Sequence, residues 1–374
     1  MINFPMVINP PLLLVSALFF LALSTALYVG SWLTATLILR FGRARISHAA
    51  AKRILMTALV LPPIMAAIPT VSGATLKHSH ITPSAEHHSM ACQQAYSHFM
   101  YLTSLHGSVA AGVVMNGLAW LTALLGVSLV IRLLVATTRL ERGLAPYLSG
   151  PSEKLTRVLT VVSERMPRLR TGQFYECAIP AASSSVFGFL RVRCVLSRDF
   201  VQAATDEELV AVVAHEASHL RSNDVWATLL VGALNCLYFA VRPVRLLTRR
   251  WREAAELACD DAAVKVTHNP LAMASAILRV SGVAVASEHA HHALPATTLA
   301  FADEAACAPG KRVERLIAQA QNSLMPAATE APMQAAAGWA ITLLLAGMGG
   351  AVLFSAGTVC YAHCSLEVVA RLLP

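Results

Sequence analysis

At positions 215 to 219 the chain reads His215-Glu216-Ala217-Ser218-His219. Residues four apart on an α-helix lie one turn apart on the same face, so the two imidazoles can reach a single ion. Neutral imidazole is a good ligand for zinc, which proteins hold tetrahedrally. Glu216 sits directly beside them, positioned to take a proton from a zinc-bound water, which is the chemistry of a zinc hydrolase. Two histidines do not complete such a centre, which needs a third protein ligand and an open position. A surface histidine pair on a helix would have the same local sequence. Downstream, Arg252-Glu253-Ala254-Ala255-Glu256-Leu257-Ala258-Cys259-Asp260-Asp261 predicts a second helix on which Glu256 and Asp260 are one turn apart. One carboxylate can bind the metal while the other orients a ligand histidine through its free ring nitrogen. Glu253, three residues earlier on the same helical side, competes with Glu256 for the ligand role. Cys259 reads as a small core residue rather than a thiolate ligand.

The first helix needs a start and a buried side. Thr205 followed by Glu208 fits a capping box, and Leu209, Val212, Val213 and Leu220 supply the apolar side. Around this unit the composition is not that of a soluble protein. Of 374 residues, 56% are hydrophobic and only 13% charged, against about 25% charged in soluble domains. Such a chain is too apolar to be disordered, and eight cysteines in this length are too dilute for a disulfide scaffold. The net charge of +8 does not point to nucleic acid, because the basic residues cluster beside apolar runs, where membrane topology explains them.

A membrane crossing takes about 20 apolar residues as a helix, and four stretches qualify: about 12–39, 54–71, 108–135 and 337–356. The second contains Pro62, Pro63 and Pro69 and is expected to kink. Arg40, Arg43, Arg45, Lys52 and Arg53 lie between the first two spans, and Arg139 and Arg142 follow the third. The positive-inside bias therefore puts these segments in the cytoplasm and the N-terminus, residues 72–106 and the tail outside. No cleavable signal peptide is expected, since a basic n-region is missing and the first apolar run is long. Three units follow: a membrane region 1–136, a cytoplasmic domain 137–336, and a last span with a short outward tail, 337–374. Residues 225–241 are apolar enough for a fifth span. A single crossing would separate His219 from Glu256 and expose five arginines outside, so a re-entrant helix pair is expected, with an ordinary core helix as the alternative. Val186 to Leu196 reads as a strand.

The His215–His219 helix, the acid Asp224 five residues beyond it, and the run Glu256-Leu-Ala-Cys-Asp-Asp261 resemble the BlaR/MecR-type membrane zinc metallopeptidases, the antirepressor peptidases. The resemblance extends to Ser185-Val-Phe-Gly188 through Ser197, to Lys311 through Ile317, and to three spans before the domain with one after it. It implies a predominantly α-helical polytopic membrane protein with four transmembrane helices and a cytoplasmic α+β gluzincin-like zinc peptidase domain. It implies one catalytic Zn2+ held by His215, His219 and Glu256, with Glu216 as general base, Asp260 behind the ligands and Asp224 as a structural acid. It further implies that a strand containing Val186, Phe187, Gly188 and Phe189 receives an extended peptide by backbone pairing. The implied setting is a bacterial inner membrane, and the implied substrate is a transcriptional repressor or the chain itself, cleaved after an external signal. About 15 residues follow the last span, too few for the external penicillin-binding sensor domain, so direct β-lactam sensing is not expected. A housekeeping quality-control peptidase and a non-enzymatic metal sensor are the alternatives.

The sensor alternative rests on the outward loop, which holds His78, His80, His87, His88, His98 and His106, six of fourteen histidines. Their spacing imposes no ligand geometry, so a polar surface loop explains them equally well. His289, His291 and His292 form a similar small cluster. Cys92, Cys360 and Cys364 are expected outside, where pairing is open to them. Cys177, Cys194, Cys236, Cys259 and Cys307 are expected to stay reduced.

Overall fold

The computed structural model describes residues 10–42, 46–76, 109–167, 169–178, 184–188, 192–288 and 309–322. Outside these residues lie the loop histidines from His78 to His106, the cluster at 289–292, Phe189, the fourth span, and Cys92, Cys307, Cys360 and Cys364. Helices α1 (Pro10–Phe41) and α2 (His48–Leu76) are joined by a short connection and pack along each other. Tyr28 donates a hydrogen bond across them to the Leu59 carbonyl at 2.9 Å. Within them, Phe20–Phe41 and His48–Ala67 are long and apolar enough to cross a bilayer. Helix α2 continues without a break through Pro62, Pro63 and Pro69. Helix α3 (Val109–Leu144) runs past the expected domain boundary at residue 136, and Leu124, Val127 and Ile131 on its side are exposed.

A four-stranded sheet follows, built from β1 (Leu148–Ser149), β2 (Phe174–Cys177), β3 (Ser184–Phe187) and β4 (Arg193–Ser197) in the order β1-β2-β4-β3. β2 and β4 are parallel, whereas β1 and β3 run antiparallel to their neighbours. The single strand expected over Val186–Leu196 is therefore two strands folded back on each other, with Val186 opposite Cys194 and Phe187 opposite Arg193. Gly188 explains the break: its φ of 117° lies in a region open to glycine but not to side-chain-bearing residues. Between β1 and β2 lies α4 (Glu153–Arg165), capped by Ser152.

The remaining helices are α5 (Arg198–Ala203), α6 (Asp206–Arg221), α7 (Asp224–Leu237), α8 (Arg242–Thr267), α9 (Pro270–Glu288) and α10 (Pro309–Asn322). Residues 225–241 are thus one helix and a turn, not the expected re-entrant pair. At 1.5 Å per residue, α7 is about 21 Å long, short of a hydrocarbon core of about 30 Å. It lies against α3, where Gly126 leaves room for Leu237, and its Val231 and Leu234 are buried against the α1–α2 pair and α8.

Two apolar cores share α8. Its first half places Val244, Leu247, Trp251 and Ala254 against Tyr28, Ile54, Leu55 and Leu59 of the apolar helix pair. Its second half places Ala263, Val264 and Val266 in a core with α4, α6, α9, α10 and the sheet. Between these halves lies Glu256.

Candidate metal centre

Helix α6 begins with the capping box read from the sequence. The Glu208 amide donates to the Thr205 hydroxyl at 3.2 Å, and the Thr205 amide donates to the Glu208 carboxylate at 2.8 Å. Glu208 is also held by Ser275 and Arg279 of α9. From Leu209 to Ser218 the helix is buried on nearly all sides, so it is the central helix of its core rather than an amphipathic surface one. Its partner α8 crosses beside it and brings Glu256 opposite the two histidines.

The Nε2 atoms of His215 and His219 are 3.2 Å apart, and each lies 3.5 Å from an oxygen of Glu256. In a tetrahedral zinc site with bonds of about 2.0–2.1 Å, ligand atoms are separated by about 3.3–3.4 Å. The two histidines bracket the Glu256 carboxylate, one on each oxygen, and one ligand atom from each of the three residues lies within 4.8 Å of the others, a set whose donors and spacing suit a zinc-sized ion. Glu253 does not join this group; of the two rival carboxylates, Glu256 is the one facing the imidazoles.

Each imidazole is oriented from behind. His219 Nδ1 is 2.7 Å from Asp224 Oδ2, and His215 Nδ1 is 3.1 Å from Asp260 Oδ1, off the line of a well-formed hydrogen bond. With Nδ1 turned to a carboxylate on each ring, Nε2 is left for the central position. Asp224 reaches back because Ser222 and Asn223 make a tight corner between α6 and α7, with Asn223 in the left-handed conformation that asparagine tolerates. Asp260 is fully buried. Arg312 of α10 grips it through Nε and Nη2 and reaches Glu256 Oε2 with Nη1 at 2.9 Å.

Electrostatics follow from these contacts. Burial opposes charge on both rings, but Asp260 and Glu256 beside His215, and Asp224 beside His219, outweigh it and hold both histidines above the ordinary imidazole range. Burial likewise works to raise Glu256, yet the two histidines and Arg312 hold its carboxyl well below the usual range. A second group, His219, Asp224 and Cys259, also converges. Burial pushes the Cys259 thiol up, so it stays protonated, and Asp224 is already engaged by Lys52. The first group is the better metal site. Glu216 is buried beside His215, and its carboxylate makes no hydrogen bond among the described residues.

Of the expected strand residues, Val186 and Phe187 lie in β3, which is an edge of the sheet and packs beside α6, and Gly188 begins the turn. Several side chains around the centre were not singled out by the sequence. His48 Nδ1 lies 2.8 Å from Asp261, Arg315 bonds both Asp260 and Asp261, and Lys52 pairs with Asp224. Their signals were present as spacing: His48 and Lys52 are four apart on α2, and Arg312 and Arg315 three apart on α10.

Two helices thus bring together two histidines and a glutamate that could hold a metal ion, with a second glutamate buried beside them. The chain belongs to the BlaR1 peptidase M56 family, whose model matches residues 20–303. It is also similar to the plastoglobule-localized metallopeptidase 48, chloroplastic, of Arabidopsis thaliana, with 34% identity over 96 residues. That match covers 24% of this chain and 28% of the relative, so the chain spans less than a third of that protein's length. No solved structure matches the chain.

Proposed function

We propose that the chain is an integral membrane zinc endopeptidase with its active site on the cytoplasmic side. The observation that carries this reading is the convergence of His215, His219 and Glu256: the two Nε2 atoms are 3.2 Å apart and each lies 3.5 Å from one of the two Glu256 oxygens. Zinc held there supplies a Lewis acid for the scissile carbonyl and for the attacking water. Glu216 accepts the proton from that water and returns it to the departing amine. Asp224 and Asp260 keep the two imidazoles turned inward, and Arg312 fixes Asp260 against Glu256. β3, the edge of the sheet among the described residues, receives an extended peptide, which aligns the scissile bond with α6.

Cytoplasmic placement is supported by the contacts of His48 and Lys52, which put that end of α2 on the same side as the site. The basic residues beside it favour the cytoplasm. The substrate is a protein or peptide. By family, regulated cleavage of a repressor is favoured over general quality control, and substrate trapping on Glu216→Gln separates the two. One dominant transcription factor supports regulation, whereas a heterogeneous set supports quality control. The peptidase reading itself is tested with purified protein and an unfolded protein substrate. Glu216→Gln should lower the cleavage rate by about 10²–10⁴-fold while retaining zinc. Undiminished cleavage by that variant would overturn the assignment.

A further inference from the structure

Lys52 lies in the first turns of α2, the second apolar helix, yet its ammonium is inserted into the hydrogen bonds behind His219. Its Nζ is 2.5 Å from Asp224 Oδ1 and donates to Ser222 Oγ at 3.0 Å. The Asp224 side chain is 7% exposed and that of Lys52 14%. The other oxygen of Asp224 holds His219 Nδ1. Ser222 in turn donates to the Ser218 carbonyl at the end of α6. The corner carrying Asp224 is therefore clamped by a cation from a part of the chain about 170 residues away. One turn earlier, His48 does the same for the other imidazole by a longer route, through Asp261 and Arg315 to Asp260.

We infer that Lys52 is a positioning residue of the metal centre: its charge fixes the Asp224 carboxylate that orients His219, so that the membrane helix pair completes the site. This rests on the zinc-peptidase reading above. The physical reason is the cost of leaving Oδ1 of a buried carboxylate without its cation. Without the ammonium, Asp224 must turn toward solvent or share the His219 proton differently, and either change releases the imidazole from its inward orientation. The neighbouring packing is rigid enough to transmit the constraint. Ile54, Leu55, Ala58 and Leu59 of α2 are buried against Trp251, Leu247 and Ala254 on α8, the helix that carries Glu256.

The test is equilibrium zinc affinity of the full chain in detergent, read by competition with a chelator, together with the absorption spectrum of the Co2+-substituted protein. Lys52→Met should weaken zinc binding by about 10–100-fold, the effect typical of losing a partner behind a ligand histidine, and should alter the Co2+ ligand-field bands. Lys52→Arg should restore most of the affinity and the wild-type spectrum. In an Asp224→Asn background, Lys52→Met should add little, because the two act along one path. Unchanged affinity and spectrum in Lys52→Met, or an equal loss in both backgrounds, would overturn the inference. If the wild type binds zinc but Glu256→Gln does not, the site assignment stands whatever Lys52 does. If wild type and Glu256→Gln bind alike, the site assignment itself fails.

Discussion

His215 and His219 point Nε2 at one position because a carboxylate stands behind each ring, and this arrangement makes metal binding a proton exchange. The carboxylates beside them hold both rings above the ordinary imidazole range, so the metal-free pair keeps protons that two neutral rings do not carry. Zinc requires both rings neutral. Loading at pH 7 should therefore release protons from the pair, measurable by calorimetry in buffers of different ionisation enthalpy. Buffer-independent heats would contradict this. The sign for folding is opposite to that for binding. With the folded-state pKa above the ordinary imidazole value of about 6.5, the extra protons stabilise the metal-free protein fully below that pH. The contribution fades as pH rises through about 9 for His215 and about 10 for His219, while apparent metal affinity grows over the same window. At this scale the sequence was informative for residues within one helix. Spacing alone paired His215 with His219 and Glu256 with Asp260, but it left Glu253 and Glu256 as rivals, because their difference depends on how α8 is rotated against α6. Lys52 and His48 were hidden for another reason. A cation beside an apolar run has a sufficient explanation in topology, and its partners lie more than 150 residues away.

At the scale of elements, Glu208 does two jobs in one position. It closes the capping box of α6 and anchors that helix to Ser275 and Arg279 of α9. Glu208→Ala should lower stability by about 2–3 kcal/mol, the sum of a lost cap and a lost charged hydrogen bond. Ser275→Ala should cost only about 1 kcal/mol. Chemical denaturation of the two variants checks both values, and equal losses would show that the α9 contacts dominate the cap. The cap was legible because its two residues are three apart. The strand over Val186–Leu196 was misread because its many Val, Phe and Leu residues alternate poorly, and only the backbone requirement at Gly188 reveals the reversal. Residues 225–241 were ambiguous for a similar reason. An apolar helix of 14 residues packs equally well under lipid or under protein, and here Val231 and Leu234 face other helices.

For the whole molecule, α8 is the shared wall of two cores, and Trp251 is its largest side chain on the side of the apolar helix pair, 2% exposed. Trp251→Ala should cost about 3–5 kcal/mol, read as a lowered thermal transition in detergent, and it should loosen the α2–α8 contact that carries Lys52 and His48 to the site. A transition within a degree of the wild type would show that this core does not bear on stability. The mostly helical fold with a small sheet was readable from composition and motif. How the apolar helix pair touches the candidate metal centre was not, because that contact joins segments whose separate sequences carry no sign of each other. The central claim remains that His215, His219 and Glu256 hold one ion. Metal analysis of the purified full chain tests it most directly: about one zinc per chain is predicted for wild type and Glu253→Gln, and almost none for His215→Ala and Glu256→Ala. A full equivalent retained by Glu256→Ala, or a loss in Glu253→Gln alone, would contradict it.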